Sequence, residues 1–249
     1  MESPQRADDW LVATGQAASR SQARMLILEG RVALQDGSVM TKPGRKFASD
    51  AGLKVVEPLR YVSRGGEKLE AYLDAFARSP KGKTAIDVGA STGGFPDCLL
   101  QRGATHVTCV DVGHSQLHES LLGDPRIENL EKINARTLSE APLPFNAYEL
   151  AVLDLSFISL RLILPEVWKI LQPGGELVAL VKPQFEAPRD VVKKGRGIIR
   201  DKKVRQDVLE GIKQFCETKL PAAVICGWLD SPVIGGDGNQ EFLLGLRKK

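Results

Sequence analysis

Acidic residues and lysines recur in this chain at the ends of apolar runs, where an α/β sheet would gather them along one edge. Asp87 lies in the run Thr84-Ala85-Ile86-Asp87-Val88, which leads into Gly89-Ala90-Ser91-Thr92-Gly93-Gly94 and a helical stretch from Phe95 to Arg102. Asp111 follows 24 residues after Asp87, at the end of a second apolar run. A carboxylate there can accept both hydrogen bonds of a ribose diol. The glycine turn brings backbone close to a ligand, but it is not GxGxxG, and an acid just ahead of it would repel a pyrophosphate at the helix N-terminus. The same acid suits a cation, and the ammonium of S-adenosyl-L-methionine is the nucleotide-borne cation that fits. The series of acid, glycine turn, helix and second acid therefore reads as a methyl-donor site rather than a dinucleotide site.

The other chemistry-bearing residues belong to an acceptor. Asp154 ends the strand in AVLDLSF and is followed by Leu-Ser-Phe; enzymes that methylate exocyclic base nitrogens place a proline pair there, as in NPPY, and none is present. Lys182 ends LVALVK, with Pro183 keeping it extended at the strand's carboxyl edge. Glu241 opens the last apolar run, and Lys68 lies on a helix ahead of the first one. His114 and His118 are spaced i, i+4 without a third metal ligand, and Cys98, Cys109, Cys216 and Cys226 form no CxxC pair, so no metal site is expected.

The elements that would position these residues fall into two sets. From Thr84 onward seven β-rich segments, at 84–88, 107–112, 127–130, 150–155, 177–181, 223–228 and 242–246, are mostly separated by helix-length spacers. That alternation predicts a doubly wound, Rossmann-like α/β sheet whose ligands sit at the strands' carboxyl ends. Ahead of it, the caps and periodicity predict helices at about 8–14 and from Ser19 or Ser21 to Gly30. A strand at 31–35, a turn at Asp36-Gly37, a restart at Val39 and a strand at 53–56 complete a small α+β module. We expect domains at 1–60 and 67–249, joined by a glycine-containing linker at 61–66.

The stretch SRSQARMLILEGRVALQDGSVMTKPG resembles the S4 RNA-binding domain. Together with YVSRGGEKLE, DVGASTGGFPDCLLQRGA, DLSFISLRLILP, LVKPQFE and GNQEFLLGLRK, which occur in order, it makes the chain similar to the TlyA (hemolysin A-like) family. In that family an S4 domain precedes a seven-stranded FtsJ/RrmJ-type ribose 2'-O-methyltransferase domain. The resemblance implies an S-adenosyl-L-methionine-dependent cytidine 2'-O-methyltransferase acting on ribosomal RNA or ribosomal subunits in the cytoplasm. It implies a Lys-Asp-Lys-Glu tetrad at Lys68, Asp154, Lys182 and Glu241, with Lys182 as the base or the hydroxyl-polarising group. Cofactor contacts are implied at Asp87, Gly89, Ser91, Thr92, Gly93, Gly94, Asp111 and Asp154, with adenine near Asn134 and Ala135. His114-Ser115 departs from the aromatic and glycine that the family pattern places after DVG.

Charge distribution agrees with an RNA partner. Net charge is +3, and residues 1–66 carry ten Lys/Arg against seven Asp/Glu. A second basic run, 189–205, carries eight Lys/Arg against two Asp. Candidate RNA contacts are Arg6, Arg20, Arg24, Lys42, Arg45, Lys46 and Arg64, with Lys193, Lys194 and Arg196 from the second run, which Gly195 and Gly197 mark as a candidate mobile lid. Hydrophobic residues at 43% and charged residues at 26% describe a globular chain, without a span-length apolar run or a signal-like N-terminus. Two competing readings are a membrane-active cytotoxin and an RNA-binding protein whose methyltransferase fold is inactive. No membrane partner or obligate protein partner is expected.

Overall fold

In the computed structural model, residues 4–28, 30–47, 52–56, 60–235 and 237–249 are described. The chain divides into two compact units, Met1–Arg60 and Tyr61–Lys249.

In the first unit α1 (Ala7–Ala13) and α2 (Arg20–Leu28) pack through Leu11, Ala23, Leu26 and Ile27, the face that the helical spacing selects. Ser19 caps α2, its hydroxyl accepting from the Gln22 amide. Two short antiparallel pairs accompany the helices, β1 (Gln5–Arg6) with β3 (Lys46–Phe47) and β2 (Val32–Leu34) with β4 (Leu53–Val55). The expected restart at Val39 is a single bridge to Ala33. Two-residue strands such as β1 carry no periodicity, and the sequence does not announce them.

The second unit opens with Tyr61, which is buried, and its first helix α3 (Gly65–Ala75) takes in Gly65 and Gly66. The Val62 amide donates to Asp97 at 2.8 Å. The expected linker at 61–66 is therefore corrected: its apolar residues and backbone donors are used by the core of this unit. The strands that follow are β5 (Thr84–Val88), β6 (His106–Asp111), β7 (Ile127–Glu131), β8 (Tyr148–Leu153), β9 (Leu171–Val181), β10 (Ala223–Asp230) and β11 (Phe242–Lys248). They form one sheet in the order β10-β11-β9-β8-β5-β6-β7, parallel except for β11, which runs antiparallel to both neighbours.

Alternate strand residues face opposite layers, as the period of two requires. Ile86, Val88, Ala151 and Leu153 meet α6 (Leu160–Ile170) and α9 (Lys202–Lys219). Ala85, Val107, Leu150 and Val152 meet α3 and α4 (Gly94–Gln101). Both faces being covered explains why the central parallel strands β5, β6 and β8 read as largely apolar runs. Strand order reverses between β5 and β8, so a crevice must open beyond their carboxyl ends.

Candidate functional site

That crevice is a cleft of about 540 Å³. Of the residues expected to hold a cofactor, Gly89, Ser91, Asp111, Asn134, Ala135 and Asp154 line it. Gly89 has φ +92°, and a Cβ there would come within 2.7 Å of the Asp154 carbonyl, so only glycine lets the β5 and β8 ends approach this closely. Gly93 caps α4 in the left-handed region, with Gly94 as the first helical residue. Thr92 presents its carbonyl to the His118 amide at 3.2 Å. Thr92, Gly93 and Gly94 shape the turn behind the cleft rather than its wall.

Asp87 is 1% exposed, and its Oδ1 has no hydrogen-bond partner. Burial pushes its carboxyl well above the ordinary range, and the neighbouring carboxylates of Asp154 and Asp111 push it further. A buried acid with an unmet acceptor beside two more acids is a site that a cation would relieve. Asp111 accepts from the Ser91 amide at 2.9 Å on Oδ2 and from the Gly113 amide at 2.7 Å on Oδ1. Oδ2 keeps a lone pair for a ribose hydroxyl. Gln116, which sequence reasoning missed, also lines the cleft, its amide 3.3 Å from Asp111 Oδ1. It follows the His114-Ser115 departure by one position. Asn134 caps the turn over Ala135 by accepting from the Arg136 amide at 3.0 Å.

The four acceptor residues form two ion pairs. Lys182 Nζ stands 2.6 Å from Asp154 Oδ1 and donates to Ser156 Oγ at 3.0 Å. Lys68 Nζ stands 2.6 Å from Glu241 Oε2, and both residues are buried. Sheet register links the pairs: Phe242 faces Val181 across β11 and β9, so Glu241 and Lys182 are the next positions on adjacent strands. Phe157, another residue not singled out, is 89% exposed with φ +64°, lines the cleft and has its ring 5.2 Å from that of Phe185. The motif DLSF held it in plain view, but only structure separates an exposed phenylalanine from a core one.

The basic residues divide. Arg6 makes a two-pronged pair with the buried Asp8, at 2.9 and 2.7 Å, and Arg20 reaches Asp8 and Asp9 at 3.4 and 3.1 Å. Arg6 holds the Asp8 carboxyl below its ordinary range. These pairs use part of each guanidinium's five donors. Arg24, Lys42, Arg45 and Lys46 are exposed, and Lys42 and Arg45 border a shallow depression with Thr41 and Gly44. Arg64 precedes α3, with its guanidinium 3.4 Å from the Ile234 carbonyl.

In the second basic run, Lys193 and Lys194 end α8 (Arg189–Lys194) and Arg196 is exposed. The candidate lid is tied down at its far end, where the buried Asn239 accepts from the Ile199 amide at 2.8 Å and donates to the Gly197 carbonyl at 2.9 Å. His118 caps the short helix α5 (Glu119–Leu122), and His114 sits in the preceding loop, so the two do not share a helix face. Among the described residues no group of three or more His, Cys, Asp or Glu could hold a metal, and no helix is long and apolar enough to cross a membrane.

A seven-stranded sheet with an antiparallel β11, a cleft at the switch point and acids at the ends of β5, β6 and β8 defines a Rossmann-like methyltransferase domain, preceded by a small α+β module. The sequence matches the FtsJ-like methyltransferase family over residues 61–248 and the S4 domain over residues 5–49. It is 47% identical to Bacillus subtilis YqxC, provisionally named an rRNA methyltransferase, over 97% of this chain and 85% of that protein. It is 41% identical to the Mycobacterium tuberculosis 16S/23S rRNA (cytidine-2'-O)-methyltransferase TlyA, over 97% and 89% of the two chains. A solved Streptococcus thermophilus structure, provisionally named a hemolysin, superposes with TM-score 0.77 and 42% identity, covering 99% of this chain and 89% of that one. The chain belongs to the TlyA family of S4-containing, FtsJ-like methyltransferases.

Proposed function

We propose that this protein transfers a methyl group from S-adenosyl-L-methionine to the ribose 2'-hydroxyl of a cytidine in ribosomal RNA, in the cytoplasm where that RNA is found. The observation that carries the reading is the Lys182–Asp154 pair, in which Asp154 lines the cleft, together with the unmet acid Asp87 buried directly behind the Val88 and Gly89 wall of that cleft. Asp87 would neutralise the cofactor's ammonium, Asp111 its ribose diol, and the Asn134-Ala135 turn would cover its adenine. When bound, the cofactor supplies an electrophilic methyl on a sulfonium.

A ribose hydroxyl is a weak nucleophile, so the protein's contribution is to orient it in line and draw on its proton. An ammonium has three donors; Lys182 gives one to Ser156, is ion-paired with Asp154 at 2.6 Å, and has a donor left for the acceptor oxygen. Asp154 fixes the amine in place. The oxygen forms its bond to the methyl carbon as the carbon–sulfur bond breaks, and the hydroxyl proton leaves to solvent. The buried Lys68–Glu241 pair holds the neighbouring strand end and supplies no net charge. The exposed Phe157 ring offers a face on which an unstacked base can lie.

Arg24, Lys42, Arg45 and Lys46 of the first unit, with Arg64, Lys193, Lys194 and Arg196 of the second, would contact phosphates, and Arg6 and Arg20 would do so with the donors left by Asp8 and Asp9. The experiment is tritium transfer from labelled cofactor to ribosomal RNA. Lys182→Ala should abolish it and leave cofactor affinity near wild type; near-normal turnover in that variant would remove the acceptor assignment.

A further inference from the structure

Two loops form the wall of the acceptor site. One runs from Asp154 to the start of α6, and the other is the short helix α7 (Pro183–Glu186) that begins directly after Lys182. They meet at Lys182 with Asp154 and Ser156, and again at the Phe157 and Phe185 rings. A third junction lies at the far end of α7. There Glu186 Oε2 accepts from the Ser159 hydroxyl at 2.6 Å, and Oε1 accepts from the Leu160 amide at 2.6 Å. Ser159 is already the cap of α6, accepting from the Arg161 amide at 3.2 Å. The helix start thus has a cap without Glu186, and the carboxylate adds a fastening between loops.

The placement is costly. Burial raises the Glu186 carboxyl above its ordinary range despite the hydrogen bonds from Ser159 and Leu160 and the charge of Arg161. Nothing in helix capping alone requires a carboxylate reaching across from another element.

We propose that Glu186 is a positioning residue of the acceptor site: by fastening the 154–160 loop to the 182–186 turn, it sets how Lys182 stands against Asp154 and how Phe157 stands against Phe185. The inference rests on the methyl-transfer reading above. Glu186 touches neither substrate nor cofactor and acts through the two loops. Misplacement of reacting groups by about 1 Å costs about a hundredfold in rate, so a loosened fastening should be visible in turnover before it is visible in binding.

The full-length chain with Glu186→Ala and Glu186→Gln tests this, with turnover on ribosomal RNA, affinities for cofactor and RNA, and amide hydrogen exchange over residues 155–160 as readouts. Glu186→Ala should lower kcat by about tenfold or more while both affinities stay within about twofold. Exchange over 155–160 should quicken, while the β5 amides are unchanged. Glu186→Gln keeps the shape and an acceptor for the Leu160 amide, and should restore most of the rate and the slow exchange. A Glu186→Ala kcat within about twofold of wild type, or a Gln variant no better than Ala, would overturn the inference. If the wild-type chain methylates no RNA, the proposed function fails; exchange then decides the fastening alone, and equal rates in wild type and Glu186→Ala would overturn that as well.

Discussion

Replacing Asp87 with asparagine should turn a pH-dependent cofactor site into a pH-independent and weaker one. The Asp87 carboxyl has an oxygen without a partner, and burial, followed by the neighbouring carboxylates of Asp154 and Asp111, raises its pKa from the ordinary 3.8. For an acid raised in the folded state, the stability associated with its neutral form is fully present below the unfolded value and is lost as pH climbs through the raised one. A cationic ligand acts in the opposite sense by favouring the anion. Between the pKa in the complex and the raised pKa of the free folded protein, binding must therefore expel a proton, so affinity should climb with pH across that window and level off above it.

A hydrogen bond to a buried charged group contributes about 2–3 kcal/mol, which corresponds to about 30- to 150-fold in affinity. Titration calorimetry of S-adenosyl-L-methionine across about pH 5–9, in buffers of different ionisation enthalpy, reads both the affinity and the proton released. Asp87→Asn should lose that factor above the window and show no proton release. Without ligand, the variant should melt higher than wild type at alkaline pH, because a repelling buried charge has gone, and should match it at acid pH. Wild-type affinity independent of pH, or unchanged affinity in Asp87→Asn, would refute the assignment of Asp87 to the ammonium.

Glu241→Ala should destabilise the chain by about 3–5 kcal/mol in chemical denaturation, because it strands the Lys68 ammonium in a buried position. The apolar pair Lys68→Met with Glu241→Leu should regain most of that stability without regaining methyl transfer. Gly89→Ala should weaken cofactor binding and lower the melting temperature, with about 1–3 kcal/mol of backbone strain at φ +92° and a Cβ forced against the Asp154 carbonyl; calorimetry and thermal melts read both effects. Changing Arg24, Lys42, Arg45 and Lys46 together to glutamine should weaken RNA binding and reduce the slope of log affinity against log salt by about 0.7–0.9 for each phosphate no longer neutralised, while cofactor affinity stays the same.

The central strands were legible because parallel strands covered on both faces must be largely apolar, and each expected segment overlaps an observed strand, although β9 begins at Leu171, six residues ahead of its expected start. The acids and lysines were legible because each closes or opens such a run. Their pairing was not. That Lys182 meets Asp154 while Lys68 meets Glu241 follows from strand register and from where α3 crosses β11, and neither is written in local spacing. The same limit applies to Arg6 and Arg20, which look like a free basic face until the fold brings Asp8 and Asp9 beside them. The segment at 61–66 read as a linker because glycine pairs usually mark boundaries. Here Gly66 lies against the buried Tyr61 ring, where a Cβ would clash with it. Asn239 and Glu186 each act across more than twenty residues of chain, fastening the basic run and the acceptor loops, and no local motif signals such contacts.

Whether the Lys182–Asp154 pair serves methylation of a ribose oxygen is tested most directly by the position of the transferred methyl. Ribosomal RNA labelled by the purified protein with methyl-tritiated cofactor would be hydrolysed with alkali, which cannot cleave beside a 2'-O-methylated nucleotide. Label should appear in an alkali-stable dinucleotide containing 2'-O-methylcytidine, and none should appear when Lys182→Ala replaces the wild-type protein. Label recovered on a base in ordinary mononucleotides, or unchanged labelling by Lys182→Ala, would contradict the assignment.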